Sequence, residues 1–250
     1  MDIYGPYAWQ YDALSTDFVK TLENNFRRKL LARFVPSGSD VLDLGCGTGA
    51  THALLNSPKS YTGIDISAPM LDVAQRKLPE RSVLIHHDLS KGMPKLEGTF
   101  DSMVSLYSSL SHLTESEFSV LLKDTYQTLR PGGSIVLDVM NRYSLERLLT
   151  GKWMGNDYYF SYIPDKPKAE LEFYTPARIR ALFETAGFRV SLITSATVVP
   201  ARGLFGMRSL CNKYRALGAS VYSLEVLLKN ITNTTGPKLG RALIVVATKL

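Results

Sequence analysis

The chain has 250 residues, 45% of them apolar and 21% charged, and a formal net charge of +6. This composition favours one globular domain, with or without an insertion, and excludes a disordered or fibrous protein. Cys46 and Cys211 lie far apart without CxxC or Cys/His spacing, which excludes a disulfide framework and a structural zinc site. No leader pattern and no run of roughly 18 apolar residues is present. We therefore expect a soluble, cytoplasmic protein without a metal.

The positive charge is concentrated near the C-terminus. From Val190 onward there are eight basic side chains and one acidic one, so this part carries +7 and the remainder −1. A solvated basic face is one interpretation. Docking of an anionic substrate is another, and nucleic-acid binding is weaker because no dense Lys/Arg cluster or recognised nucleic-acid module is present.

The predicted elements begin with a helix. In residues 16–35, Phe18, Leu22, Phe26, Leu30 and Phe34 recur at four-residue steps. This spacing predicts an amphipathic helix that packs these side chains on a sheet.

Five apolar, β-rich runs follow, and each ends in a polar or glycine-containing turn. Ser67 is placed as the N-cap of one connecting helix, and Thr114 with Glu117 has the spacing of a capping box at the start of another, which Pro131 ends. The alternation predicts an α/β domain with a parallel sheet. The runs are residues 40–45, 61–66, 82–87, 100–107 and 134–140.

The last third departs from this alternation. Residues 151–175 are rich in aromatic side chains and prolines, and residues 199–238 separate a strand at 188–199 from a closing strand at 241–250. We expect a single domain over residues 1–250, with residues 1–35 as an N-terminal lid and helix. The two insertions, 151–175 and 199–238, are predicted to form a cap over a substrate pocket.

A glycine loop, "VLDLGCGTGA" at residues 41–50, follows the first strand. Gly45, Gly47 and Ala50 fit a dinucleotide fingerprint, with Asp65 at the distance of a ribose-binding acid, so spacing alone leaves dinucleotide binding open. Asp43 argues against a pyrophosphate, since a carboxylate there favours an ammonium or sulfonium group. Glycines let a ligand lie against the backbone, and the following helix start is expected to bind an anionic terminus. S-adenosylmethionine carries all of these groups.

Five ordered segments carry a resemblance to a known family. "VLDLGCGTG", "YTGIDISAPMLDVAQRKL", "HHDLSKGMP", "FDSMVSLYSSLSHL" and "LRPGGSIVLDV" resemble class I S-adenosylmethionine-dependent methyltransferases, and the similarity resumes at "YTPARIRALFETAGFRV" and "RALIVVATKL". The resemblance implies a Rossmann-like, seven-stranded, mostly parallel sheet in the order 3-2-1-4-5-7-6, with strand 7 antiparallel and helices on both faces. It also implies S-adenosylmethionine as methyl donor and S-adenosylhomocysteine as product. The long basic segment between the last two strands departs from the family pattern.

The resemblance also implies site residues. Asp65 is expected to bind both ribose hydroxyls, or else to be a plain helix cap; Asp88 is expected at the adenine amino group, or else to be a turn carboxylate. Asp43 is expected near the methionine part of the donor or as a brace for the loop. The N-terminal segment with Tyr11 is expected to fold over the donor. The complete predicted donor-binding set is Tyr11, Asp43, Gly45, Cys46, Gly47, Gly49, Asp65, Ile66, Met70, Asp88, Leu89 and Leu106.

The main catalytic candidate follows the fourth strand. His112 is expected to be a general base with a pKa near neutrality, or else a histidine braced at a helix start. Tyr7 and Tyr107 are candidates for orienting the acceptor. His86 and His87 are adjacent on a strand and point to opposite faces, so they are not expected to share a metal.

The predicted reaction is methyl transfer to nitrogen or oxygen of a small molecule, with an acidic or aromatic acceptor favoured by the aromatic and basic side chains of the insertions. Those aromatics fit equally well as the core of the cap. One alternative is a nucleic-acid (RNA) methyltransferase, although "SLYS" at residues 105–108 replaces the Asn-Pro-Pro-Tyr tetrapeptide of many base-methylating enzymes. The other is a non-catalytic nucleotide-binding module. A homodimer is compatible with the sequence.

Overall fold

The computed structural model describes residues 2–15, 18–149, 151, 157–159, 168–196 and 238–250. Its strands are β1 (Asp40–Leu44), β2 (Ser60–Asp65), β3 (Val83–His86), β4 (Phe100–Ser105), β5 (Leu129–Met140), β6 (Asp157–Tyr159), β7 (Lys168–Glu170), β8 (Phe188–Ala196) and β9 (Ala242–Lys249). Its α-helices are α1 (Tyr11–Ser15), α2 (Phe18–Phe34), α3 (Ala68–Lys77), α4 (Glu115–Thr128), α5 (Leu145–Leu149) and α6 (Pro176–Thr185).

Seven of these strands form the main sheet, in the order β3-β2-β1-β4-β5-β9-β8. β9 runs antiparallel to both β5 and β8, whereas β1 to β5 pair in parallel. When β6 and β7 are left out of the count, β8 and β9 become the sixth and seventh strands of the main sheet. The predicted order 3-2-1-4-5-7-6 is therefore confirmed. The chain steps outward from β1 to β3 and then returns to β4, so the strand order reverses between β1 and β4. Ligands of such sheets bind at the carboxyl ends beside that reversal.

The helix starts follow the predicted capping chemistry. The Ser67 hydroxyl accepts a hydrogen bond from the Met70 N–H at 3.4 Å. Thr114 and Glu117 form the predicted capping box, in which each side chain bonds to the other residue's backbone N–H. α4 ends at Thr128, just before the predicted stop signal.

Apolar layers cover both faces of the main sheet, because successive strand residues point to opposite sides. Leu137 and Val245 belong to one buried cluster, which is packed with α4 and α6. Their neighbours Val136 and Val246 belong to the other, which is packed with α2. The middle of the sheet is therefore covered on both faces, whereas the edge strand β3 is partly exposed.

β5 is longer than predicted. It begins at Leu129, five residues before the expected start, because Phe100 pairs with Leu129 and the register then shifts so that Ser102 pairs with Ser134. A Cβ at Gly133 would lie 2.8 Å from the Arg130 carbonyl oxygen, so the bulge needs a glycine there. The Pro-Gly-Gly stop signal of the helix is thus also the irregular first part of a strand.

The two insertions are only partly within the described residues. β6 and β7 form an antiparallel pair outside the main sheet, which agrees with the prediction of an excursion. Leu171 and Phe173 follow this pair and are buried. Residues 199–237 and the aromatic residues Trp153, Phe160 and Tyr162 lie outside the described residues. The cap over a substrate pocket stays a prediction.

No helix within the described ranges is both long enough and apolar enough to cross a membrane. The same part of the chain contains no cluster of three potential His, Cys, Asp or Glu metal ligands. The adjacent His86 and His87 rings bond to separate backbone carbonyls, those of Ile66 at 2.8 Å and Gly92 at 3.0 Å.

Candidate active site

A cavity of about 430 Å³ opens at the carboxyl ends of the parallel strands, beside the reversal of strand order. Its volume falls in the range of about 300–1,000 Å³ that is typical of small-molecule sites. The predicted residues in its wall are Tyr11, Gly45, Cys46, Gly47, Asp65, Ile66, Met70, Asp88, Leu89 and His112.

The glycine loop has a backbone that only glycine adopts easily. Gly45, Gly47 and Gly49 have φ angles of +74°, +52° and +77°. A Cβ at Gly45 would lie 2.5 Å from the Ser109 Cβ, so the loop also packs directly on the turn that follows β4. At Gly47 a Cβ would meet nothing within 4 Å, so the space in front of this backbone is open to a ligand.

Asp65 ties the loop to the start of α3. One carboxylate oxygen accepts the Gly47 N–H at 2.7 Å and the other accepts the Ser67 N–H at 2.9 Å. Burial raises the pKa of this carboxyl, although the backbone hydrogen bonds act in the opposite direction. Each oxygen keeps a lone pair for a further hydrogen bond from a ligand in the cavity.

Asp88 and Leu89 lie at the next strand end. The Asp88 carboxylate accepts the Ser90 N–H at 3.0 Å and so caps the short turn Leu89–Lys91. Partial burial opposes ionisation, but hydrogen bonds from Ser90 outweigh it and lower the pKa. The turn-carboxylate role is therefore present, and the side chain also lines the cavity.

Asp43 lies beneath the loop and not in the cavity wall. It is fully buried, and the Tyr61 hydroxyl donates to its Oδ2 at 2.6 Å. Its Oδ1 has no hydrogen bond of normal geometry in the described part of the chain, although the side chain of Thr51 acts to lower the pKa. Desolvation nevertheless raises the pKa to about 7. Of the two expected roles, this position fits the brace for the loop better than contact with the methionine part.

His112 ends the short turn Ser109–His112, which packs on the glycine loop. Its Nε2 lies 3.0 Å from the Tyr4 hydroxyl, and the two rings meet edge to face with centroids 5.8 Å apart. The ring faces the open cavity, yet surrounding protein desolvates it and lowers its pKa to about 4. The expected near-neutral pKa is therefore wrong, and the imidazole is uncharged at neutral pH.

Three other predicted residues lie away from the cavity wall defined by the described residues. Tyr7 packs with Met140 and Phe173, and Tyr4 takes the position beside His112 instead. Leu106 is buried in the apolar cluster between the sheet and α2, while the next residue, Tyr107, faces the cavity. Gly49 packs against a leucine of the loop after α3. The N-terminal segment contains Tyr4, Tyr7 and Tyr11, and nothing in the sequence distinguishes which of them face the cavity.

A buried lysine was missed. Lys20 is 8% exposed and lines the cavity, and its Nζ lies 5.6 Å from the Tyr11 ring centroid and 4.8 Å from that of Tyr107. Lys20, Glu23 and Arg27 are all buried. Their spacing of three and four residues is the helical signal that could have revealed this face of α2.

Comparisons with known proteins agree with the fold. The profile of the methyltransferase domain family matches residues 41–133. A methyltransferase of Geobacillus sp. (strain WCH70) is 30% identical over 185 residues, which cover 68% of this chain and 74% of the relative. The ubiquinone biosynthesis O-methyltransferase of Coxiella burnetii (strain RSA 331 / Henzerling II) is 25% identical over 173 residues, covering 68% of this chain and 72% of the relative.

Among solved structures, a methyltransferase in complex with the Haloferax volcanii Trm112 methyltransferase activator has a TM-score of 0.64 at 18% identity, covering 99% of this chain and 96% of that one. The chain belongs to the class I S-adenosylmethionine-dependent methyltransferase family. It is an enzyme that uses S-adenosylmethionine as methyl donor, so the dinucleotide and non-catalytic alternatives are rejected.

The described residues fit this donor. The open backbone at Gly47, the spare lone pairs of Asp65 and the apolar side chains of Ile66 and Met70 line one continuous cavity. A nucleoside needs the same three kinds of surface: close backbone approach, a bidentate acceptor and an apolar face.

Proposed function

We propose that the enzyme transfers a methyl group to a nitrogen or oxygen atom of a small molecule. The observation that carries this proposal is the Tyr4–His112 pair, which lies in the wall of the same cavity as the glycine loop and Asp65. Tyr4 comes from the N-terminal segment and His112 from the turn after β4, and both line the cavity. We therefore place methyl transfer inside this cavity. By its name, the Coxiella burnetii relative is an O-methyltransferase of ubiquinone biosynthesis, which supports a small acceptor.

The donor is proposed to lie along the strand ends. Asp65 accepts hydrogen bonds from the ribose hydroxyls, and Asp88 accepts one from the adenine amino group. Ile66 and Met70 cover the face of the base, since both line the cavity and Met70 is buried. Tyr11 and the N-terminal segment exclude water from the other side.

When bound, the donor supplies an already activated methyl group on a sulfonium. The remaining task of the protein is alignment of the acceptor and removal of its proton. His112 is neutral because of its lowered pKa, so one ring nitrogen is a hydrogen-bond acceptor at neutral pH. We assign it to hold the N–H or O–H of an uncharged acceptor and to receive the proton as methyl transfer proceeds. The Tyr4 hydroxyl orients the ring from the other side.

A nucleic-acid (RNA) acceptor is the second candidate. It is favoured by one observation, the net charge of +7 carried by the chain from Val190 onward. Against it, "SLYS" stands after β4, and the N-terminal segment forms part of the cavity wall through Tyr4 and Tyr11.

A screen with radiolabelled S-adenosylmethionine tests the choice. The enzyme is incubated with libraries of amines, phenols and carboxylic acids and, in parallel, with total RNA and cell protein. We expect label in a small molecule and background levels in the macromolecular fractions. Label confined to RNA would overturn the proposal in favour of the second candidate, and label confined to protein would overturn both.

A further inference from the structure

Two consecutive residues after β4 have a backbone conformation that residues other than glycine rarely adopt. The φ angles of Tyr107 and Ser108 are +62° and +61°, and Ser108 lies in the left-handed α region with a ψ of +29°. This region is unfavourable for any residue with a Cβ, and a bulky side chain is especially uncommon there. Such residues persist where surrounding contacts enforce them, and they cluster at functional sites. Here they stand directly before the turn Ser109–His112.

Glycine would adopt this conformation more easily, but both side chains make contacts that glycine would lose. Tyr107 lines the cavity, and its hydroxyl donates to the Asn24 Oδ1 at 3.0 Å. The Ser108 hydroxyl donates to the Asp138 Oδ1 at 3.1 Å, and the Ser108 N–H donates to the same oxygen at 2.5 Å. Contacts to α2 and β5 therefore hold the left-handed residues in place.

Asp138 is a rigid anchor for Ser108. It is fully buried in β5, an inner strand of the main sheet. Its other oxygen, Oδ2, accepts the Arg27 Nε–H at 2.8 Å, so the carboxylate is fixed from two sides. Hydrogen bonds to a carboxylate are roughly twice as strong as those between neutral groups. Ser108 is therefore fastened to the sheet itself.

The conformation of Ser108 sets the path of the four residues that follow. Its carbonyl oxygen accepts the Ser111 N–H at 3.0 Å, which begins the turn. Ser109 then meets the glycine loop, where its hydroxyl donates to the Gly45 carbonyl oxygen at 3.1 Å. His112 ends the turn and lines the cavity. A right-handed backbone at Ser108 would send the chain in a different direction and carry His112 away from its position.

We propose that Ser108 is a positioning residue, whose left-handed backbone, held by Asp138, fixes the place of His112 in the cavity. Neither Ser108 nor Asp138 belongs to the cavity wall that the described residues form, so both act through His112. The inference rests on the proposed role of His112 as proton acceptor. The test separates this backbone effect from an ordinary structural contact of the hydroxyl.

Two variants of Ser108 provide the comparison. Ser108→Ala and Ser108→Gly both lose the hydroxyl bond to Asp138, but glycine adopts the left-handed conformation without the penalty of a Cβ. In Ser108→Ala, the ratio of native to displaced turn should fall by about 10-fold or more, as for a lost hydrogen bond to a charged group. Ser108→Gly should recover about 5- to 10-fold of this ratio.

NMR of the histidine rings in the full chain measures this ratio. The variant His112→Ala assigns the His112 signal among the four histidines, and relaxation dispersion reports the population of a displaced conformer. We expect a displaced His112 conformer in Ser108→Ala and a much smaller population of it in Ser108→Gly. Urea unfolding confirms that both variants are folded under the conditions of the spectra.

Ser57→Ala is the matched control. Ser57 has a φ of +48° and is exposed before β2, at the amino end of that strand and opposite the cavity. Its variant should leave the His112 signal like that of the wild type. Equal displacement in Ser108→Ala and Ser108→Gly would show that the hydroxyl contact alone matters, and an undisturbed ring in Ser108→Ala would show that His112 is held without Ser108. Either result would contradict the proposal. Failure of the proposed function is seen separately, because the radiolabel screen uses wild-type protein.

Discussion

Asp65 has two tasks at the residue scale. Its oxygens already hold the Gly47 and Ser67 N–H groups, and it faces the cavity. Asp65→Ala is expected to weaken donor binding by about 1.5–3 kcal/mol, the range for hydrogen bonds to a charged group. Calorimetry with S-adenosylhomocysteine measures this, and Asp72→Ala on the exposed side of α3 is the control. Normal affinity in Asp65→Ala would remove the ribose assignment.

His112 is expected to act on turnover and not on donor binding. His112→Ala should lower kcat by about 10- to 100-fold through lost alignment and proton acceptance, with donor affinity close to that of the wild type. Because the pKa is lowered to about 4, the ring stays neutral from mildly acidic to alkaline pH. The kcat profile of the wild type should therefore show no His112 titration near neutrality. A limb near pH 6.5 that disappears in the variant would contradict the lowered pKa.

At the element scale, the glycine loop and the turn after β4 form one packed unit. Gly45→Ala is expected to abolish donor binding because the new Cβ meets Ser109 at 2.5 Å. Gly38→Ala is a matched control, since its φ is +78°, close to the +74° of Gly45, and its Cβ would meet nothing within 4 Å. It should cost only about 1–2 kcal/mol of left-handed strain and leave binding intact.

A double variant checks the cause. Gly45→Ala combined with Ser109→Gly removes the clashing Cβ and should recover part of the donor affinity in calorimetry. If Gly45→Ala and Gly38→Ala reduced donor affinity by the same amount, the loss would come from backbone strain and not from the contact with Ser109.

α2 and β5 are joined by a buried ion pair. Arg27 donates to Asp138 at 2.8 Å, and the same carboxylate accepts the Ser108 N–H at 2.5 Å. Arg27→Met removes the cation that pairs with the buried carboxylates of Asp138 and Glu23, and it should lower the free energy of unfolding by about 3–5 kcal/mol. Adding Asp138→Asn removes one of these charges but keeps an oxygen for Ser108, so the double variant should regain part of the stability.

Urea unfolding measures these values, with exposed Arg28→Met as the control. If the double variant were less stable than Arg27→Met alone, the negative charge of Asp138 would be needed to hold the turn at Ser108 even when Arg27 is absent.

The same helix shows a limit of sequence reasoning. The regular spacing of Phe26, Leu30 and Phe34 correctly predicts α2, but Phe26 and Phe34 are only half-buried. The innermost face carries Lys20 and Arg27 as well as leucines. Hydrophobic periodicity assigns charged side chains to solvent, and only the acids and aromatic rings contributed by distant segments make their burial favourable.

Asp43 affects stability at the scale of the whole molecule. Burial raises its pKa from 3.8 to about 7, so between these values the folded protein holds a proton that the unfolded chain has released. The free energy of unfolding contributed by Asp43 therefore falls as pH rises from about 4 to about 7, by on the order of 4 kcal/mol in total. The contribution is fully present below this window and lost above it.

Asp43→Asn should remove this dependence while keeping an oxygen for the Tyr61 hydroxyl. Urea unfolding of both proteins at about pH 5 and about pH 8 gives the difference. The variant should gain relative stability at the higher pH. Parallel behaviour of the two proteins across this range would mean that Asp43 is ionised in the folded state.

The sequence by itself determined the order and type of the main elements, the glycine loop and two strand-end acids, Asp65 and Asp88, that line the cavity. These are local signals, since strand runs, caps and turn glycines depend on neighbouring residues along the chain. The ordered segments were enough to infer the sheet order and the family.

Only the tertiary structure decided which side chains face the cavity. Tyr4 in place of Tyr7, Asp43 beneath the loop and Lys20 between two rings all depend on how distant segments pack against each other. The lowered pKa of His112 and the raised pKa of Asp43 depend on desolvation by those segments. These pKa shifts are properties of the assembled fold. The low dielectric that causes them exists only after the chain has folded around the two side chains.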